Sequence, residues 1–208
     1  MHGAGRMDRD TLNSSPPMED APDAMEDIRA CLSGDPSAYR RVVEGHADQV
    51  WRLMSRFSRD RAVIGELSQE AFVEAWLCLG KYRARGPFGA WLRTVAVRVG
   101  YRHWREQGRR RAWETALPES AWAMIQAPEA ATPPEAAETL YLFLERLDPK
   151  DRLVLTLAYW EGLDTGDIAR TTGWTHTLVR VRLHRARLRL KKLIESGLPK
   201  GGKDAFTS

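Results

Sequence analysis

Cysteine is scarce. The 208 residues hold two, Cys31 and Cys78, with no Cys-x-x-Cys or Cys/His grouping of metal-ligand spacing. That argues against a disulfide framework and a zinc site, and suits two thiols in a reducing compartment. Long apolar runs are missing as well. No window approaches about 18 consecutive apolar residues, so no membrane span is expected. The start, MHGAGRMDRD, has no apolar stretch of signal-peptide length, and the expected location is the cytoplasm. No P-loop, GxGxxG, HExxH or nucleophile elbow occurs, so neither a cofactor nor a metal nor an enzymatic role is expected. No segment of useful length alternates with the period of a strand.

What is present is a chain of 43% hydrophobic and 29% charged residues, too apolar to be wholly disordered. Its length fits one large domain or two small ones. Residues 1–34 read as a flexible acidic tail, with seven acids against three arginines up to Arg29 and prolines at 16, 17 and 22. Asp35-Pro36, an N-cap followed by proline at the first helical position, starts the ordered part. Tyr39, Val42, Val43, His46, Val50, Leu53, Met54 and Phe57 recur at helical spacing, and His46 on that face reads as a packed side chain. Asp60 caps a second helix with Ile64, Leu67, Ala71, Phe72, Ala75, Trp76 and Leu79 inward and Glu66, Gln69, Glu70 and Glu74 on its polar face. After Gly86-Pro87 a third helix turns Trp91, Leu92, Val95, Ala96 and Val99 inward.

Residues 112–137 read as a linker: five glutamates between 114 and 138 face no Lys or Arg, and four prolines interrupt it. Trp113, Trp122, Met124 and Ile125 within it suit docking on another surface. Helical spacing resumes over 138–196. Asp148-Pro149 repeats the cap signal, Asp164 caps a short helix, Gly173 suits a left-handed stop and Thr175 caps a final helix. Residues 197–208 form a C-terminal tail. The expected fold is all-α, two small helical domains (35–111 and 138–196) joined by a flexible linker.

Charge is concentrated on two helices. Arg180, Arg182, Arg185, Arg187, Arg189, Lys191 and Lys192 follow one another with no acid between them. Like charges at i,i+4 repel, and phosphates would relieve that repulsion. Ala169, Gly173 and Val179 stand at the spacing of a helix-turn-helix: a small residue at the helix contact, a glycine at the turn, an apolar lock. Its second helix would offer Thr175, His176, Thr177, Arg180, Val181 and His184 to base edges and Arg182, Arg185 and Arg187 to phosphates. The third helix of the first domain carries Arg93, Arg98, Arg102 and Arg105 among Trp91, Tyr101, His103 and Trp104, a mixture suited to unpaired DNA.

Two stretches resemble a known family. Glu66-Leu67-Ser68-Gln69-Glu70-Ala71-Phe72, Trp76 and Phe88-x-x-Trp91-Leu92-x-x-Val95-Ala96 resemble region 2 of bacterial sigma-70 factors. Leu147-Asp148-Pro149-Lys150-Asp151-Arg152, Glu161-Gly162-Leu163, Ile168-Ala169, Gly173 and Val179 through Arg187 resemble region 4. With only these two regions the chain is similar to an extracytoplasmic-function (ECF, group 4) sigma factor. The resemblance implies that the chain binds core RNA polymerase and directs it to promoters, initiating transcription. Glu66, Gln69 and Glu70 would meet the β′ clamp helices. Trp91, Arg98, Arg102 and Arg105 would serve the −10 element, together with the loop before that helix. Thr175, His176, Thr177, Arg180, Val181, Arg182, His184 and Arg185 would serve the −35 element, with region 4 also packing on the β flap. An anti-sigma factor is a further candidate partner, and the acidic linker would mimic nucleic acid.

Family members usually carry Asn where this chain has Arg98 and often Asp where it has Arg102, and their loop is Ser-rich where this one reads Arg83-Ala84-Arg85-Gly86-Pro87. Gly65 replaces the usual acid before Glu66. Arginine cannot accept a hydrogen bond from a base, so a non-standard −10 preference is expected. Two other readings compete: a helix-turn-helix regulator working without polymerase, which leaves the Glu66/Gln69/Glu70 face unexplained, and a sigma mimic acting by protein interaction alone, which leaves the basic helix unexplained.

Overall fold

In a computed structural model the described residues are 24–113 and 133–197, with backbone alone at 111–113, 133–138 and 197; no strand occurs among them. The expected tails before 24 and after 197 and the linker positions Trp122, Met124 and Ile125 lie outside the described residues. The helices in chain order are α1 (Ala24–Leu32), α2 (Pro36–Met54), α3 (Arg61–Cys78), α4 (Phe88–Trp113), α5 (Pro133–Glu145), α6 (Pro149–Tyr159), α7 (Thr165–Thr172) and α8 (His176–Gly197). A single 3₁₀ turn, Leu79–Lys81, follows α3. The described residues form two compact units: 24–103 with 156–174, and 104–113 and 133–155 with 175–197.

The caps act where local sequence puts them. The Asp35 carboxylate accepts from the Ser37 amide at 2.8 Å, Asp60 from Ala62 at 2.8 Å, Asp148 from Lys150 at 2.9 Å and Asp164 from Asp167 at 2.7 Å. Each satisfies an amide that the first helical turn leaves open, worth about 1 kcal/mol against alanine. Gly173 ends α7 at φ 74°, with its amide on the Ala169 carbonyl.

In the first unit α2 buries Val42, His46, Val50, Leu53 and Met54, α3 buries Ile64, Leu67, Ala71 and Ala75, and α4 buries Leu92, Val95, Ala96, Val97 and Val99. Fully burying one such aliphatic side chain stabilises by about 1.5–3 kcal/mol. His46 is packed as expected, 5.4 Å from the Phe88 ring. Phe57 lies flat against Gly100, where there is no room for a Cβ.

Three expectations change. Composition extends the acidic tail to residue 34, but Ala24–Leu32 is helical: Ile28 and Cys31 are buried, α1 packs on α2, and Arg41 donates to Asp27 at 2.7 Å. Gly34, at φ 96°, and the Asp35 amide bonding back to Ala30 close it. Charge and proline content extend the linker to 137, but Pro133 opens α5, because proline suits the first helical turn, where no amide partner is needed. Trp76, expected inward, is 41% exposed and rests against Tyr39 at 4.7 Å, whose hydroxyl donates to the Phe72 carbonyl.

The second unit is built around Phe143, Leu144, Leu147, Leu153, Val154 and Leu155 with Val179, Leu183 and Ala186 of α8, and α5 packs on α8. Here the Arg152 guanidinium stacks 4.0 Å from the centroid of Trp104 and 4.7 Å from that of Tyr141.

Candidate nucleic-acid interface

Three surfaces carry the sequence-predicted residues, and their chemistry differs. On α3, Glu66, Gln69 and Glu70 are all exposed on one stripe. The stripe continues into Val73, 57% exposed, and Leu77, 72% exposed. Residues 66, 70, 73 and 77 are three or four apart and so share a face. The sequence reading missed the apolar half, although its signal was present: Val73 and Leu77 stand outside the buried register of Ala71 and Ala75. An acidic patch beside exposed aliphatics fits a protein partner with a basic, partly apolar helix.

The second surface is the loop before α4 and the outer face of that helix. Lys81, Tyr82, Arg83, Arg85, Trp91 and Arg93 line one depression. Its aromatic wall is pre-built: Tyr82 stands edge-on to Phe88 at 5.4 Å and lies 5.5 Å from Trp91, and Phe88 lies 5.3 Å from Trp91. The Tyr82 hydroxyl donates to the Gly86 carbonyl at 2.7 Å and pins the loop that holds Ala84 at φ 50°. A non-glycine residue there is strained by about 1–3 kcal/mol, which surrounding structure must offset. Sequence reading named the Arg83–Pro87 loop and Trp91 but did not single out Lys81 and Tyr82. An aromatic beside a basic, Gly-Pro-ended loop was the available signal.

Trp91, expected on the inward stripe, is only half-buried and faces this depression. Arg98 and Arg105 are exposed on the same face of α4, seven and fourteen residues on. Arg102 shares the face but is engaged: its Nη2 reaches Glu70 at 2.8 Å and Glu74 at 2.7 Å. Burial opposes its charge, yet the hydrogen bonds and fields of Glu74 and Glu70 push its pKa above the ordinary value. Not every aromatic near these arginines faces out, as the sequence suggested. Trp104 is buried under Arg152, and Tyr101 stands edge-on to Trp174 at 6.3 Å.

The third surface is α8. Thr175 caps it through the Leu178 amide at 3.2 Å, and Val179, Leu183 and Ala186 anchor it inward. Thr177, Arg180, Val181, His184 and Arg185 come together on its outer side and line a shallow depression; His176, the residue before Thr177, is exposed. Arg182 does not join them: its Nη1 donates to Asp151 at 2.7 Å. Among the described residues no group of three His, Cys, Asp or Glu is arranged to hold a metal, and no helix is long and apolar enough to cross a membrane.

A helical protein with a duplex-sized basic helix, a basic-aromatic depression and an acidic-apolar face is a nucleic-acid-binding protein that also meets a protein partner. Family comparison supplies the rest. The Sigma-70 region 2 model matches residues 42–110 and the Sigma-70 region 4 model matches residues 137–190. The chain belongs to the sigma-70 family of RNA polymerase sigma factors. It is 31% identical over 189 residues to the ECF RNA polymerase sigma factor SigD of Mycobacterium tuberculosis, covering 87% of this chain and 89% of that one. It is 29% identical over 171 residues to the RNA polymerase sigma-H factor of Pseudomonas aeruginosa, covering 78% and 89%. Its fold is similar to CnrH, solved in complex with the cytosolic domain of CnrY, at TM-score 0.54 and 22% identity over 84% of this chain and 97% of that one. It is also similar to the sigma factor RpoE of Bartonella quintana, solved with the anti-sigma factor NepR, at TM-score 0.53 and 20% identity over 76% and 96%. The protein binds core RNA polymerase and directs it to promoters as an ECF-type sigma factor.

Proposed function

We propose that the three surfaces divide the work of promoter recognition. The α3 stripe, Glu66, Gln69 and Glu70 extended by Val73 and Leu77, meets the β′ clamp helices. The depression at Tyr82 and Trp91, with Arg98 and Arg105 along α4, holds the −10 strand once it is unpaired: rings stack on bases and arginines hold the backbone. The outer face of α8, with Thr175 and His176 at its start, enters the major groove of the −35 element. Region 4 also packs on the β flap. An anti-sigma factor is a further partner, supported by the two similar sigma factors solved with theirs. The chain itself acts in the cytoplasm and contributes specificity, with no chemistry of its own.

The observation that carries this division is the pairing of an acidic-apolar helix face with a cation-rich recognition helix in one chain. A regulator that works without polymerase has no use for the first. The test is reconstitution with core polymerase. Glu70→Lys places a cation on an exposed position of α3 and is expected to lower core binding at least about tenfold, or about 1.4 kcal/mol. Unchanged co-purification would favour the regulator reading, and failure of the unaltered chain to associate at all would end the assignment.

A further inference from the structure

The seven cations of α8 do not all face one way. At about 100° per residue, Arg182 and Arg189 fall on one side of the helix, flanking the buried Val179, Leu183 and Ala186. Arg180, His184 and Arg187 fall on another. On the Arg182 side stands Asp151 of α6, 1% exposed. Arg182 donates to its Oδ1 at 2.7 Å and Arg189 donates to its Oδ2, while Asp148 lies 3.7 Å from Arg182. Both carboxylate oxygens are therefore taken by α8.

A carboxylate buried beneath two arginines, one of them more than half exposed, is a poor way to gain stability, since its desolvation offsets much of the attraction. It is a good way to fix geometry, because a carboxylate held on both oxygens permits one rotation of its partner helix. A turn of α8 by one residue would break both pairs and swing Arg180 and His184 off the outer face. We infer that Asp151 is a positioning residue for duplex recognition: it withdraws Arg182 and Arg189 from DNA and sets the rotation at which Thr177, Arg180, Val181, His184 and Arg185 form the reading face. This replaces the expectation that Arg182 grips a phosphate, and it rests on the assignment of α8 to the −35 duplex.

Counterion release separates a cation that meets phosphate from one that does not. The full-length chain is titrated with a random-sequence DNA duplex at several salt concentrations, and the slope of log K against log salt is read. Arg180→Gln and Arg185→Gln should each reduce the slope by about one. Arg182→Gln and Arg189→Gln, made singly, should leave it unchanged. Asp151→Asn frees both arginines and should steepen the slope by one to about two, while weakening discrimination among duplexes selected by the unaltered chain. A purely structural aspartate would alter stability but not steepen the slope. If Asp151→Asn does not fold, the two single arginine variants decide the matter. A drop of about one for Arg182→Gln or Arg189→Gln overturns the inference alone, as does a folded Asp151→Asn with an unchanged slope. A slope unmoved by Arg180→Gln and Arg185→Gln, or no duplex binding at all, overturns the assignment of α8 and this inference with it.

Discussion

Gly100 sits in the middle of α4, a position where glycine costs helix stability by roughly 0.5–1 kcal/mol relative to alanine. It is there because Phe57 is. A Cβ at residue 100 would lie 2.5 Å from Cδ1 and Cδ2 of that ring, and Phe57 is itself 1% exposed and has nowhere to go. Gly100→Ala should therefore destabilise by about 1–3 kcal/mol in spite of its better helix propensity, which thermal unfolding would report as a lowered Tm. An unchanged or raised Tm would mean that the Phe57 contact has slack. The sequence shows Gly100 as an anomaly in a helix but not its cause, since its partner lies 43 residues away in the turn between α2 and α3. The same applies to Arg102. Its place on a basic stripe is readable, while its engagement by Glu70 and Glu74 is a fact of packing between α3 and α4.

At the scale of elements, α1 was hidden by its own composition. Glu26, Asp27 and Arg29 gave Ala24–Leu32 the look of a polar tail, although Ala24, Ile28 and Cys31 already had helical spacing. Ile28 is 2% exposed, so Ile28→Ala should cost about 2–5 kcal/mol if α1 belongs to the folded unit. A cost near zero in urea unfolding would return the segment to the tail. The turn after α6 makes a different prediction. Glu161 is nearly buried, with Arg56 Nε 3.7 Å away. Burial pushes its carboxyl above the usual carboxylate range, and Arg56, Arg93 and Arg52 pull it only part of the way back. A raised folded-state pKa means the proton is held more tightly folded than unfolded. The favourable contribution is then complete below the unfolded value and is lost as pH rises through the folded value. Relative to Glu161→Gln, the unaltered protein should thus lose stability as pH climbs upward from the ordinary carboxylate range, about 4. Urea unfolding of both proteins along that climb checks the sign, and a difference that does not vary with pH contradicts it.

For the whole molecule, the three proposed surfaces lie on different helices and depend on different chemistry, so their losses should separate. Glu70→Lys should retain the salt-dependent affinity of the free chain for duplex DNA and lose polymerase. Arg180→Gln combined with Arg185→Gln should retain polymerase and lose promoter-directed transcripts by about tenfold or more. Run-off transcription beside a core-polymerase binding assay checks this, and a variant set in which both activities always fall together would argue for one shared surface. The fold class, the order of the helices from α2 onward and both sigma regions were readable in advance, because caps, helical spacing and family motifs are short-range patterns. The apolar extension of the α3 stripe and the aromatic wall around Tyr82 were not, because exposure depends on what covers a residue.

The chain's local chemistry set where most helices begin and stop and how much charge each bears. Asp35, Asp60, Asp148, Asp164 and Gly173 all act within a few residues of themselves. Which of those charges remain free for DNA or polymerase was settled by packing. Arg182 finds Asp151 across 31 residues and Arg102 finds Glu70 across 32. Ion pairing falls off steeply with distance and solvent, so a cation's partner is chosen only when helices distant in sequence are brought side by side.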